Sequence, residues 1–294
     1  MFSELKYPLV FVSHDAGAAN HIIAWIAKYN FFGEFRIYFK GPARKNLKNQ
    51  FPNIKIFDTL ESSLEKAKTL ICGTGWQTDI EYNALKIANE LNIESIAIID
   101  HWVNYKTRFT RNNIEILPNQ IWVMDSEAYS IAKKTFKNVK ISKKKNTYLS
   151  EILKKILPIN KVKKNKLLYI LEPARSNWGK NIPGEFQAFN YMLDNWDKLN
   201  IPNETEIILR PHPSDSIEKY DSLLQINRKI KIDNNTLEQS ISDSKWICGC
   251  ESFALIIGIK SNRKVFCSLP PWATECRLPH DEIIHIKKLH IESI

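Results

Sequence analysis

Two short segments of this chain carry the residue types that phosphate chemistry needs. In Ile208-Leu209-Arg210-Pro211-His212-Pro213 an apolar run ends on a guanidinium and an imidazole set between two prolines, and Ser214 and Asp215 follow as candidate caps of the next helix. In Cys248-Gly249-Cys250-Glu251-Ser252-Phe253-Ala254 the apolar run Trp246-Ile247-Cys248 ends at small residues, and a helix is expected to start near Glu251 and Ser252. Two strand ends, each followed by a helix N-terminus, would turn backbone N–H groups and cations toward one place, and that combination favours an anionic phosphate. Each segment also has a plainer reading. Arg-Pro-His-Pro makes a stiff turn, and Glu251 suits a helix start through the dipole alone.

The elements that would position these residues alternate in type along the whole chain. In the first half, strands are expected at Tyr7–Ser13, Phe35–Phe39, Ile54–Phe57, Thr69–Cys72, Ser95–Asp100 and Gln120–Met124, with helices at Ala18–Tyr29, Ser62–Ala67, Asp79–Leu91 and Glu127–Phe136. The alternation resumes at Lys166–Leu171. Continuous apolar strands separated by helices imply α/β domains with parallel sheets covered on both faces, and two doubly wound, Rossmann-like domains facing across a cleft are the economical architecture. Ligands of such sheets bind beyond the carboxyl ends of the strands. The boundaries are placed at 1–145 for an acceptor-binding domain, 146–165 for a lysine-rich connector and 166–294 for a nucleotide-sugar-binding domain.

In the second half the strand-end loops present Glu172, Arg175 and Ser176, then Arg210 and His212, then Glu251, Ser252 and Phe253. Arg175, Arg210 or protonated His212 would offset phosphate charge, Ser252 and its helix start would bond phosphate oxygens, and Glu251 would accept from ribose hydroxyls. A departing nucleoside phosphate needs this support because negative charge grows on it as the glycosidic bond breaks. In the first half, Ser13-His14-Asp15-Ala16-Gly17 is a strand-to-helix loop of small residues. Asp15 is the candidate general base for a sugar hydroxyl, with His14 as the substitute and a helix-cap aspartate as the alternative. His14, Trp76, His101, Trp102, Asn104 and Arg108 mix aromatic faces with hydrogen-bonding groups, as a bound acceptor sugar requires.

Composition sets the limits. With 294 residues, 44% hydrophobic and 25% charged, the chain is long enough for two domains and ordinary for a globular protein. No segment reaches the ~20 apolar residues of a membrane span, and the N-terminus does not read as a signal peptide, so a cytoplasmic location is expected. The net charge of +10 sits in one place: Lys137 to Lys166 holds eleven lysines and one acid, Glu151. A lysine run without interleaved aromatics suits a solvated connector, or a peripheral contact with an anionic membrane surface, better than nucleic-acid readout. The five cysteines read as buried free thiols. Cys248-Gly249-Cys250 is too closely spaced for a zinc pair and has no second pair, so no metal is expected. No short Asp-x-Asp of metal-dependent transferases is present either, and no cofactor is required beyond the sugar donor.

Arg210-Pro211-His212-Pro213 resembles the His-Pro motif of GT-B glycosyltransferases that use CMP-activated sugars, namely bacterial sialyltransferases, polysialyltransferases and Kdo transferases. The CDP-glycerol-using teichoic acid polymerases look similar there. Gly249 to Ala254, running on through Lys264-Val265-Phe266-Cys267 to Leu269-Pro270-Pro271, is similar to the Kdo-transferase pattern of a small-residue loop, a helix and a final strand. The resemblance implies a GT-B fold, transfer of an acidic 2-keto sugar (Kdo, sialic acid or another nonulosonic acid) from a CMP donor to a glycan acceptor in surface glycan assembly, His212 at the CMP phosphate and the Ser252 hydroxyl bonded to it. Many relatives carry Ser-Ser or Ser-Thr where this chain has Glu251-Ser252, which leaves Glu251 without a role from that source. A nucleotide-sugar hydrolase or epimerase of the same fold is the alternative, and a basic membrane or RNA adaptor working through Lys137–Lys166 is the third.

Overall fold

The computed structural model describes residues 2–75, 78–174, 176–212, 215–226 and 228–289. The chain divides into two compact units, Met1–Ser150 and Glu151–Ile294.

The first unit is built on six parallel strands in the order β2-β1-β3-β4-β7-β8. In chain order these are β1 (Leu9–Ser13), β2 (Phe35–Phe39), β3 (Thr69–Cys72), β4 (Glu94–Ile98), β7 (Gln120–Val123) and β8 (Lys140–Lys143); β5 (Thr110–Arg111) and β6 (Ile114–Glu115) form a separate small antiparallel pair. The helices are α1 (Ala16–Lys28), α2 (Gly41–Gln50), α3 (Leu60–Leu64), α4 (Ile80–Glu90), α5 (Ser126–Thr135) and α6 (Thr147–Lys155), with the boundary between the units falling inside α6. Leu-Val-Phe-Val-Ser of β1 is buried along its whole length because strands flank it on both edges and helices cover its faces. Its core is aromatic: Trp25 of α1 meets Trp122 of β7 edge-to-face at 5.7 Å, and Phe2 packs on both. One expectation fails here, and two elements appear where none was expected. Ile54–Phe57 is not a strand; it runs irregularly past the sheet edge and meets β2 through Phe57 N, which donates to Ile37 O at 2.8 Å. Gly41–Gln50 is a helix because Pro42 starts it and Ala43 and Leu47 give it a narrow buried stripe. Lys140–Lys143, inside the first domain as bounded above but given no element there, closes the sheet as β8, an edge strand whose exposed lysines discourage pairing with another chain.

The second unit repeats the plan with strands β9 (Lys166–Ile170), β10 (Glu206–Arg210), β11 (Ile230–Ile232), β12 (Trp246–Gly249), β13 (Lys264–Cys267) and β14 (Ile284–His285), and helices α7 (Gly184–Asp194), α8 (Asp221–Leu224), α9 (Leu237–Asp243) and α10 (Phe253–Lys260). All six strands are parallel, in the order β11-β10-β9-β12-β13-β14. Tyr169, Phe189, Trp196, Leu209 and Phe266 form its core.

In each sheet the strand order reverses once, between β1 and β3 in the first and between β9 and β12 in the second. Loops leave such a point in opposite directions and open a crevice there. Among the described residues no helix is long and apolar enough to cross a membrane.

Candidate functional site

At the first reversal point, β1 ends at buried Ser13 and the loop His14-Asp15 leads into α1. The His14 N–H donates to Glu81 Oε1 at 2.7 Å, and His14 Nδ1 lies 3.0 Å from Asp15 Oδ1. Asp15 occupies the N-cap position of α1 with extended backbone, yet its side chain makes no capping bond. Its carboxylate is therefore free of the helix-cap role and lies beside the β3–α4 loop. A Cβ on Gly75 of that loop would come within 2.6 Å of Asp15 Oδ2 and 3.2 Å of Glu81 Oε1, so glycine lets the loop approach both carboxylates.

Glu81 escaped the sequence reading. It sits in the first turn of α4, only 1% exposed, and its Oε2 is buried with no hydrogen-bond partner among the described residues. Burial raises its pKa, opposed by the bond from His14 N and reinforced by the nearby charge of Asp15. An unsatisfied buried carboxylate oxygen beside a His-Asp pair, at a strand-order reversal, is costly for stability and makes this cluster a candidate site. The sequence signal was an acid six residues after Gly73-Thr74-Gly75, at the start of the helix that follows.

The other first-half candidates divide. Arg108 is 8% exposed and donates to the Thr74 carbonyl (3.2 Å), Thr74 Oγ1 (3.0 Å), the Val103 carbonyl (3.1 Å) and Asp100 Oδ1 (3.1 Å). It locks the loops after β3 and β4 together, so its expected role on an acceptor sugar gives way to a structural one. Trp102 is likewise buried, 6% exposed, with Nε1 donating to both oxygens of Asp125 at 3.1 Å; little indole face is left for a sugar to stack on. Asp125 in turn caps α5. His101 packs edge-to-face on Trp102 at 5.3 Å, and Asn104 holds a left-handed turn, φ +61°, whose carbonyl accepts from Arg108 N. Trp76 lies outside the described residues.

At the second reversal point, the Glu172 carboxylate fills the place the sequence assigned to phosphate. Its Oε1 accepts from the N–H groups of Cys250 (3.0 Å), Glu251 (2.9 Å) and Ser252 (2.9 Å), with Oε2 taking a further contact from Glu251 N at 3.1 Å. Burial pushes this carboxyl up to about 7 against the pull of the three N–H donors, and the charge of Glu251 adds to the rise. Glu172 is thus an internal ligand of the loop before α10, not a group reaching for a nucleotide. Ser252 caps α10, its hydroxyl accepting from Ala254 N at 3.2 Å. Glu251 is paired with Arg277, whose backbone N donates at 2.6 Å and whose Nη2 donates at 2.7 Å. Arg277 was missed because it lies 26 residues away on the irregular stretch after β13.

Arg210 also departs from expectation. Its Nη1 bonds Asp233 at 2.5 Å and the Asn235 carbonyl at 3.0 Å, and the Asp233 side chain is fully buried. The guanidinium thus ties β10 to the end of β11 instead of facing a phosphate. His212, by contrast, is exposed. It follows β10, and Ser252 follows β12; with β9 between them, the two strand ends are two spacings apart, about 10 Å. Ser176 is exposed and accepts from Trp178 N, Phe253 is half-buried at the start of α10, and Arg175 lies outside the described residues.

No protein-family model matches the sequence, and no curated protein matches it. In three dimensions the chain is similar to the UDP-GlcNAc 2-epimerase from Methanocaldococcus jannaschii, with a TM-score of 0.58 and 15% identity over 88% of this chain and 83% of that one. It is similar to S. aureus MnaA in its co-structure with UDP (TM-score 0.60, 13% identity, 89% and 79% covered) and to the glycotransferase of kitacinnamycin (0.53, 10%, 97% and 86%). Identities this low carry the fold alone, and the fold they carry is the GT-B type, two Rossmann-like α/β units in one chain.

Proposed function

We propose that the chain is a nucleotide-sugar enzyme that breaks the bond between an anomeric carbon and a nucleotide phosphate and passes the sugar to a hydroxyl of a glycan acceptor. The observation that carries this is the His14-Asp15-Glu81 cluster, in which an Asp without a capping bond stands beside a buried, unsatisfied carboxylate at a strand-order reversal. A sugar hydroxyl is a poor nucleophile until its proton has an acceptor. Asp15, steadied through His14, takes that role, and Glu81 fixes the loop through the His14 N–H. In the second unit the exposed His212 meets the departing phosphate, with the Ser252 hydroxyl at the same edge of the sheet. The three N–H groups of the loop before α10 are already taken by Glu172. Phosphate charge must then be met by side chains, unless Glu172 gives up its place.

The donor class follows from the His-Pro resemblance: a CMP-activated acidic 2-keto sugar. A second reading, epimerisation of a UDP-sugar, is favoured by the fold likeness to two proteins named for UDP-GlcNAc 2-epimerase or seen with UDP. One experiment separates them. CMP-, UDP- and GDP-sugars are incubated with and without a glycan acceptor, and nucleotide release and sugar products are followed by chromatography and mass spectrometry. Acceptor-dependent release from a CMP-sugar, lost in Asp15→Asn and weakened in His212→Ala, supports transfer; conversion of a UDP-sugar without acceptor selects epimerisation. Absence of turnover and of binding across the whole panel removes both.

A further inference from the structure

We propose that Cys267, Cys276 and His285 form a site for one thiophilic divalent cation, zinc foremost, which fastens the stretch between β13 and β14 to the edge of the second sheet. The three residues are spread over the last part of the chain, and spacing alone gives no zinc motif. The fold brings them together. Cys267 ends β13 and His285 ends β14, and the two are direct partners in the parallel ladder, so their side chains leave the same face. Between them, 268–283 has neither helix nor strand, and it returns at Cys276 to the same point. One ligand atom from each residue lies within 4.8 Å of the others.

Tetrahedral zinc with thiolate and imidazole ligands sets neighbouring ligand atoms about 3.5–3.8 Å apart. Small side-chain rotations therefore complete three corners. Two thiols and an imidazole are the ligand set that zinc selects over harder cations. The polar atoms are otherwise poorly used. His285 Nδ1 is buried without a hydrogen-bond partner among the described residues, and both thiols turn to one acceptor, the Cys250 carbonyl, at 3.4 and 3.8 Å. The fourth corner is left for water or a carbonyl oxygen. An irregular stretch of this length inside a compact unit needs something to hold it, and a metal clip supplies that. The clip would also steady Arg277, next to Cys276, against Glu251 at the second reversal point. None of this depends on the nucleotide-sugar reading.

The test uses the full chain, purified under reducing conditions and stripped with a chelator. Cobalt(II) is titrated as the probe, followed by zinc as competitor. The expected result is a sulfur-to-cobalt charge-transfer band that saturates at one equivalent and disappears on zinc addition. Cys276→Ser and His285→Gln, each at a half-buried position and checked for folding by circular dichroism, should weaken cobalt binding by more than the roughly 10–100-fold typical of losing an outer-shell partner. Cys72→Ser, in the other unit, should leave the titration unchanged. The proposal is overturned if no thiolate band forms, or if the band survives intact in folded Cys276→Ser. It is equally overturned if Cys267 and Cys276 are found joined as a disulfide in chain purified without reductant and the reduced chain takes up no cobalt.

Discussion

Replacing Glu172 by Gln separates the charge of its carboxylate from its shape. In the folded chain burial pushes the carboxyl up to about 7, although Cys250, Glu251 and Ser252 all donate to it. An unfolded glutamate titrates near about 4.3. Below that pH both states hold the proton and the group contributes nothing. As pH rises further the unfolded state ionises while the folded state keeps its proton, so folding is progressively penalised until the folded carboxyl ionises as well. At about 1.4 kcal/mol per pKa unit, the full penalty is about 4 kcal/mol, an upper figure because the residue as a whole is only half-buried. Glutamine does not titrate. Its amide oxygen can keep the three Oε1 contacts, and its NH₂ opposes the Glu251 N–H at a fixed cost of about 1 kcal/mol. The stability of Glu172→Gln relative to the natural chain should therefore rise by about 2–3 kcal/mol between about pH 5 and pH 8. Urea unfolding at constant ionic strength measures this, and taking the difference at each pH cancels the titration of other groups. A difference that stays flat across the window would refute the reasoning, since it would mean that the three N–H donors outweigh burial and hold the carboxyl at or below its ordinary value.

Two further outcomes follow from the same geometry. Arg210→Ala leaves the fully buried Asp233 carboxylate with Ser240 but no cation, and should cost about 3 kcal/mol in urea unfolding; unchanged stability with lost nucleotide binding would return Arg210 to the phosphate. Gly75→Ala puts a Cβ at 2.6 Å from Asp15 Oδ2, a side-chain end that can turn aside, so stability should fall by only about 1 kcal/mol while turnover drops roughly 100-fold. Turnover equal to that of the natural chain would place Asp15 outside the chemistry.

Much of the scaffold was legible in the residues. Leu9–Ser13, Thr69–Cys72 and Trp246–Gly249 are short apolar runs ended by small residues, and burial on both faces of a parallel strand needs only that local pattern. The loops that follow them were legible for the same reason, which is why His14, Asp15, Glu172, Glu251 and Ser252 all fall at strand-order reversals. Elements with thin apolar stripes were not. α2 buries only Ala43 and Leu47, and β8 carries lysines at both ends, so neither stands out from a solvated segment.

What the sequence could not decide was the partner of each polar group. Arg210 turns to Asp233, Glu172 to the loop before α10, Trp102 to Asp125 and Glu251 to Arg277, each across a separation set by sheet order. The same holds for Cys267, Cys276 and His285, which meet because β13 pairs with β14 in one register. Hydrophobic periodicity is a local property and survives in the linear chain. The choice between a phosphate and a neighbouring carboxylate is made by distances of a few ångströms between segments far apart in sequence, and only the folded arrangement of strands fixes those.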